Sequence, residues 1–322
     1  MKAIQVHEET RRLYIDEVDG PSLTDGELLV RVRATALNRA DLLQKRGLYP
    51  PPPGATDILG LEMAGVVEEG AGEWKKGDLV MALLPGGGYA ERVRIPANMA
   101  MSVPEGFTFA EAAAIPEVFL TAYLNLIRLG ALTSGQTVLI HAGASGVGTA
   151  AIQLAKARGA TVIVTAGSQA KREACLGLGA DLALDYHEGP FLPAVREYTQ
   201  GRGVNVVMDF AGASYWEQNV SALALDGKLI LVGLLGGSKA KDIDLGVLLS
   251  RRLQVIGSSL RTLSAERKAE LTAAFASDVL PLFRDGRMKP VIDSEWDWSR
   301  AQEAHEHMEQ NRNIGKIILN IS

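Results

Sequence analysis

Cysteine is almost missing from this chain: its 322 residues include one, Cys175. An internal disulfide is thereby excluded, and so is a thiolate cluster for a structural zinc. Such a composition suits a reducing compartment. Long apolar runs are missing as well. No stretch approaches the roughly 20 uninterrupted apolar residues of a membrane span, and the opening Met1-Lys2-Ala3-Ile4-Gln5-Val6 lacks the apolar core of a secretory signal. A cytoplasmic protein is the expectation. No basic block occurs, and the net charge of −5 comes from scattered charges of both signs, which argues against nucleic acid or an anionic membrane as the main partner. What remains is an ordinary globular mixture, 47% apolar and 22% charged, too long for one core.

Three textures follow one another. Over residues 1–118, short β-rich runs such as Leu28-Leu29-Val30-Arg31-Val32 alternate with Gly, Pro and Asp, which predicts a mostly antiparallel β domain. Tyr49-Pro50-Pro51-Pro52-Pro53-Gly54 is a stiff loop, because proline has no N–H for a helix or a central strand. Over 119–258, apolar β-branched runs recur about every 20–25 residues between helical stretches. They begin at Thr137, Thr161, Leu182, Val204, Lys228 and Leu253. Runs apolar on both faces belong to a buried parallel sheet, and six of them match a doubly wound α/β fold with order 3-2-1-4-5-6. The remainder, 259–322, is too small for its own core and is expected to return to the N-terminal domain.

The sharpest signal is Val138-Leu139-Ile140-His141-Ala142-Gly143-Ala144-Ser145-Gly146-Val147-Gly148, followed by an amphipathic helix. A strand feeding a glycine turn that opens a helix points backbone N–H groups and the helix dipole at a dinucleotide pyrophosphate. Gly143, Ser145, Gly146, Val147 and Gly148 are the candidate phosphate cradle, with Ser145 where the usual middle glycine stands. Gly143 would permit the tight turn, and Gly148 the close packing of helix on strand.

A second absence selects the cofactor. NAD enzymes place a carboxylate about 20 residues further on to hold the ribose hydroxyls. Here the run is Val164-Thr165-Ala166-Gly167-Ser168-Gln169-Ala170-Lys171-Arg172, with a hydroxyl and two cations instead. That set suits the extra 2′-phosphate of NADPH. A helix start capped by Ser168, with solvated cations, is the structural alternative.

With these residues in view, the chain resembles the medium-chain dehydrogenase/reductase superfamily. Within it, the likeness is to zeta-crystallin-like, zinc-free NADPH quinone oxidoreductases, and among those to the p53-inducible type. The marks are Ala36-Leu37-Asn38-Arg39-Ala40-Asp41, Lys76-Gly77-Asp78, Ala112-Ala113-Ala114-Ile115-Pro116, Thr121-Ala122, the Gly143–Gly148 turn and Asn313-Ile314-Gly315-Lys316-Ile317. The resemblance implies a GroES-like β-rich catalytic domain made from both chain ends, plus a doubly wound parallel-sheet Rossmann domain. It implies that Ser168, Lys171 and Tyr186 bind the 2′-phosphate. By the same route Leu234, Leu235, Ser258 and Leu260 line a nicotinamide pocket, and Asn313 meets the cofactor. Members commonly form homodimers through the last Rossmann strand, here Val255-Ile256.

Zinc-dependent relatives carry a G-H-E segment and a cysteine ligand; here the corresponding residues are Gly60-Leu61-Glu62 and Asn38. The five histidines, His7, His141, His187, His305 and His307, show no ligand spacing, so no metal is expected. Without a Lewis acid, alcohol oxidation loses its means of lowering the hydroxyl pKa. A conjugated quinone needs less, because its reduction product is a delocalised anion. Asn38 and Tyr49 are the candidates to hold the acceptor oxygen, and Thr121 to contact the nicotinamide. The structural alternatives are a turn-stabilising asparagine, a loop aromatic packed on the prolines and a helix-start cap, and positioning supplies most of the rate. His141 and Cys175 read as packed core residues, and Trp296 and Trp298 as buried in the C-terminal segment. The leading function is therefore NADPH-dependent quinone reduction. Its alternatives are an NADPH-dependent enone or enoyl double-bond reductase and a non-catalytic NADPH-binding structural or sensor protein.

Overall fold

The computed structural model describes residues 1–241 and 243–322, in two compact units: 1–120 with 261–322, and 121–260. In the first unit, the strand Glu27–Ala36 alternates strictly over most of its length. Leu28, Val30, Val32 and Ala34 turn inward, while Arg31 and Arg33 stay outside. It pairs antiparallel with Glu62–Glu69 and Arg92–Pro96. The sheet continues through Leu79–Leu83 to Ala100–Ser102. On its other side lies Lys316–Asn320, antiparallel to it, with Ile292–Asp297 beyond. The chain's end is thus a strand inside a sheet begun near residue 27. Ile317 and Leu319 share one core with Leu28, Val30, Met63 and Tyr89. Trp298 is buried in this core, whereas Trp296 is half-buried under the guanidinium of Arg300 at 4.6 Å.

The second unit is a six-stranded parallel sheet. Its spatial order is Leu182–Asp185, Thr161–Ala166, Thr137–Ile140, Val204–Asp209, Leu223–Leu231 and Gln254–Gly257, which is 3-2-1-4-5-6 in chain order. Val138, Leu139, Ile140, Val162, Ile163, Val164 and Val207 are fully buried, as strands covered on both faces require. The fifth strand differs from the expected start at Lys228. It begins at Leu223, where Leu223 pairs with Val204, and pairing resumes at Lys228 with Val206. Between them Asp226 adopts a left-handed φ of 62°, so a segment that reads as a turn interrupts the strand without ending it. Among the described residues no helix is long and apolar enough to cross a membrane.

Candidate functional site

Because all six strands of the second unit run parallel, their C-terminal ends share one edge. Along that edge stand the turn 143–148, Ser168 and Lys171, Tyr186, Leu234 with Leu235, and Ser258 with Leu260. The first and fourth strands are neighbours here and their connections leave in opposite directions, which opens a crevice at their ends. Asp209 closes the fourth strand; its buried carboxylate accepts N–H bonds from Ala211 and Gly212, both at 2.8 Å, and fixes the following loop.

The turn is built differently from the expectation in one respect. Ala142, not Gly143, takes the left-handed conformation, with φ 51°. Gly143 is needed for space: a Cβ there would lie 2.8 Å from Val164 Cβ and 3.1 Å from Cys175 Sγ. At Gly148 a Cβ would press on the carbonyl oxygens of Ala142 and Gly143, so helix and turn approach as a phosphate cradle requires. Ser145 caps the helix Gly146–Ala157 by accepting the Gly148 N–H at 3.0 Å, which leaves its own O–H able to donate outward. Val147 is half-buried in the first turn.

Ser168 takes the capping role that its position allows. It caps the helix Gln169–Gly177, accepting the Lys171 N–H at 3.3 Å, and its hydroxyl proton remains available. Tyr186 closes over the same place, its hydroxyl lying where a side chain on Gly167 would project. The Ser168 hydroxyl and the Tyr186 phenol therefore stand together at the end of the second strand, with Lys171 in the first turn of the helix that follows. Arg172 is turned away to Asp185 at 3.4 Å.

Leu234 and Leu235 are exposed, Ser258 is half-buried with its N–H on Leu231 O at 2.9 Å, and Leu260 is buried. Thr121 is buried in the helix Pro116–Tyr123, and its carbonyl accepts from Asn125 Nδ2 at 2.7 Å. His141 is a packed residue bracketed by Thr165 Oγ1 at 2.9 Å and Asn219 Oδ1 at 2.7 Å, and burial lowers its pKa. Cys175 is fully buried, which pushes its thiol up to about 11.

In the first unit, Asn38 departs from the role expected of it. Its Nδ2 donates to Glu62 Oε1 at 2.9 Å and to Ala36 O at 3.3 Å, and its Oδ1 accepts from Lys316 Nζ at 2.7 Å. Both amide N–H groups are committed inside the protein, so Asn38 has no donor left for an acceptor oxygen without breaking this network. Lys316 spends its three protons on Leu37 O, Asn38 Oδ1 and Glu62 Oε1, at 2.6–2.7 Å. Glu62 Oε2 accepts the Glu117 N–H at 2.8 Å. Beside them Asp41 takes N–H bonds from Asn38 and Gly60, and Tyr89 bridges towards His305 at 3.0 Å. Burial pushes Asp41 up to about 6; withdrawal from water and then the Glu62 charge push Glu117 up to about 8. This network escaped the sequence reading. Its signal was a carboxylate within Gly60-Leu61-Glu62-Met63-Ala64 and a lysine opening Lys316-Ile317-Ile318-Leu319, charges that an apolar strand admits only in pairs.

Tyr49 is half-buried under the guanidinium of Arg261, 4.1 Å from the ring centre. Asn313 is satisfied locally, its Nδ2 donating to Gly315 O at 2.9 Å. Among the described residues no group of three or more His, Cys, Asp or Glu side chains is placed to hold a metal ion.

Two sequence families match the chain: the alcohol dehydrogenase GroES-like domain over residues 24–105 and the zinc-binding dehydrogenases over 146–277. The human synaptic vesicle membrane protein VAT-1 homolog is 34% identical over 317 residues, spanning 93% of this chain and 80% of that protein. Human quinone oxidoreductase is 28% identical over 328 residues, spanning 99% and 97%. Among solved structures, Escherichia coli quinone oxidoreductase complexed with NADPH superposes with a TM-score of 0.88 at 29% identity, covering 99% of this chain and 100% of the other.

Proposed function

The chain belongs to the medium-chain dehydrogenase/reductase superfamily, and from that premise we propose that it is an NADPH-dependent reductase of quinones. The observation that carries this reading is the end of the second Rossmann strand. Ser168 and Tyr186 stand there with Lys171 in the helix turn that follows, and the position that would hold ribose hydroxyls carries no carboxylate, which supports a phosphate at this place. Hydroxyl and ammonium donors suit a phosphate dianion through charge-assisted hydrogen bonds. The cradle at 143–148 fits the pyrophosphate, since glycine at 143 leaves room for the Val164 and Cys175 side chains and glycine at 148 for the turn's own carbonyls.

NADPH, when bound, supplies the hydride. The chain's own part is to grip the nucleotide through the helix at Gly146, to orient the nicotinamide with Thr121, Leu234, Leu235, Ser258, Leu260 and Asn313, and to place the acceptor by Tyr49. Asn38 acts one step back, holding the segment that leads to Tyr49. A proton from solvent completes the hydroquinone, so no obligatory acid is assigned. The lone, buried Cys175 supports a cytoplasmic setting. Pairing of two copies through the strand Gln254–Gly257 belongs to the same reading.

Titration with NADPH and NADH, then turnover on 9,10-phenanthrenequinone, 1,4-benzoquinone and an enone, tests it. Quinones should be reduced faster than the enone. Dominant saturation of the alkene would make the protein a double-bond reductase, and tight NADPH binding without turnover a binding protein. Lys171→Ala should weaken NADPH by on the order of 10- to 100-fold and NADH far less, since a charged hydrogen bond contributes about 1.5–3 kcal/mol. Equal losses would sink the phosphate assignment.

A further inference from the structure

Tyr49 and the prolines after it rim a groove of about 1190 Å³ within the first unit. Ile58, Leu84, Val93, Ile95 and Met99 give it apolar walls. Its volume exceeds the roughly 300–1,000 Å³ of an ordinary small-ligand pocket, so a single quinone ring would leave most of it empty.

The charges lining it are unevenly answered. Arg94 faces Glu27 at 3.6 Å, and Arg92 is held by Glu68 at 2.6 Å. Arg261 and Lys268 also line the groove, and among the described residues neither forms an ion pair. Among the described residues, their side-chain hydrogen bonds go to neutral oxygens. Arg261 donates to Tyr49 O at 3.4 Å and Gln44 Oε1 at 2.9 Å, and Lys268 to Arg261 O at 3.0 Å. The Nε of Arg261 is buried and has no hydrogen-bond partner among the described residues. The helix Ala265–Arg284 begins at the same wall, and its N-terminus adds a partial positive charge. Burial holds the Lys268 pKa below its usual value; the Glu117 charge opposes this, and repulsion by Arg261 adds a smaller push downward. Two cations and a helix end therefore crowd one region; the Glu117 carboxyl acts on Lys268 from its buried site, but among the described residues no carboxylate lies within ion-pair distance of either cation.

We infer that this groove takes the acceptor, and that Arg261 and Lys268 bind an anionic oxygen group, a carboxylate or a phosphate, carried by an otherwise flat, apolar molecule. The guanidinium already sits 4.1 Å from the centre of the Tyr49 ring, so charge and aromatic surface stand side by side on this wall, as an anionic group on a flat molecule requires. The inference rests on the quinone-reductase reading only for the identity of the natural occupant.

Redox-inert probes test the subsite apart from the chemistry. Calorimetry would compare 2-naphthoate, 2-naphthyl phosphate and 2-naphthalenemethanol on the full chain, saturated with NADPH to fill the nucleotide's own phosphate site. At least one anion should bind on the order of tenfold tighter than the neutral alcohol, and the tighter anion names the natural group. Lys268→Met and Arg261→Gln should each bring that ratio towards one, whereas Lys268→Arg should keep it. Equal binding of anions and alcohol to the wild type would overturn the inference. So would an anion preference that both charge-removing variants leave intact. Selective anion binding by a chain that reduces no quinone would overturn the proposed function and leave this subsite standing.

Discussion

Glu62 and Lys316 are a carboxylate and an ammonium shut away from water, 0% and 3% exposed. Such a pair survives because every donor and acceptor is met, and removing one partner strands the other. Lys316→Met should cost about 3–5 kcal/mol of unfolding free energy, whereas Lys316→Met with Glu62→Gln should recover much of it. Urea denaturation of the single and double variants measures this; equal losses in both would refute the coupling. Glu117 makes a separate, pH-dependent prediction. Its pKa is raised in the fold from 4.5 to about 8, so the folded chain holds this proton more tightly than the unfolded one. The resulting stabilisation is complete below the unfolded value and is lost as pH rises through about 8. Glu117→Gln should flatten that decline and melt above the wild type near about pH 9. Parallel melting curves between about pH 5 and about pH 9 would show that Glu117 does not titrate in this window.

At the scale of elements, the strand–turn–helix at 137–157 was legible because its determinants are local. β-branched residues make the strand, a capping serine starts the helix, and glycines stand where backbone meets backbone. The turn's left-handed residue was not legible. Ala142 adopts that conformation next to Gly143, where the Val164 side chain leaves no room for a Cβ, a tertiary contact that no local pattern encodes. Gly148→Ala should cost about 1–3 kcal/mol by overpacking and weaken NADPH sharply, read by melting temperature and nucleotide titration. Unchanged melting and binding would show that this turn is roomier than its geometry indicates. The proline run after Tyr49 reads as a stiff loop from composition alone. That it walls a groove follows from the sheet beneath it.

For the whole molecule, one open edge of the parallel sheet is the strand Gln254–Gly257, which pairs only with Leu223–Leu231 among the described residues; Leu182–Asp185 forms the other. Val255 on this strand is 39% exposed, and the preceding helix exposes Leu245 and Leu249. Unpaired strand edges invite a second strand. The proposed pairing predicts a dimer in sedimentation, and Val255→Pro should shift it to monomer by removing an edge N–H. A wild-type monomer at tens of micromolar would sink it. By itself the sequence determined the order of the elements, the parallel sheet and the phosphate-binding turn, because periodicity and turn chemistry act over a few residues. Tertiary structure alone decided which side chains meet. Lys316 reaches Asn38 across 278 positions, and Arg261 reaches Tyr49 across 212. No local pattern encodes such meetings; they arise when a returning strand finds its register, and the partners it brings turned Asn38 from an expected acceptor contact into a committed member of a buried ion network.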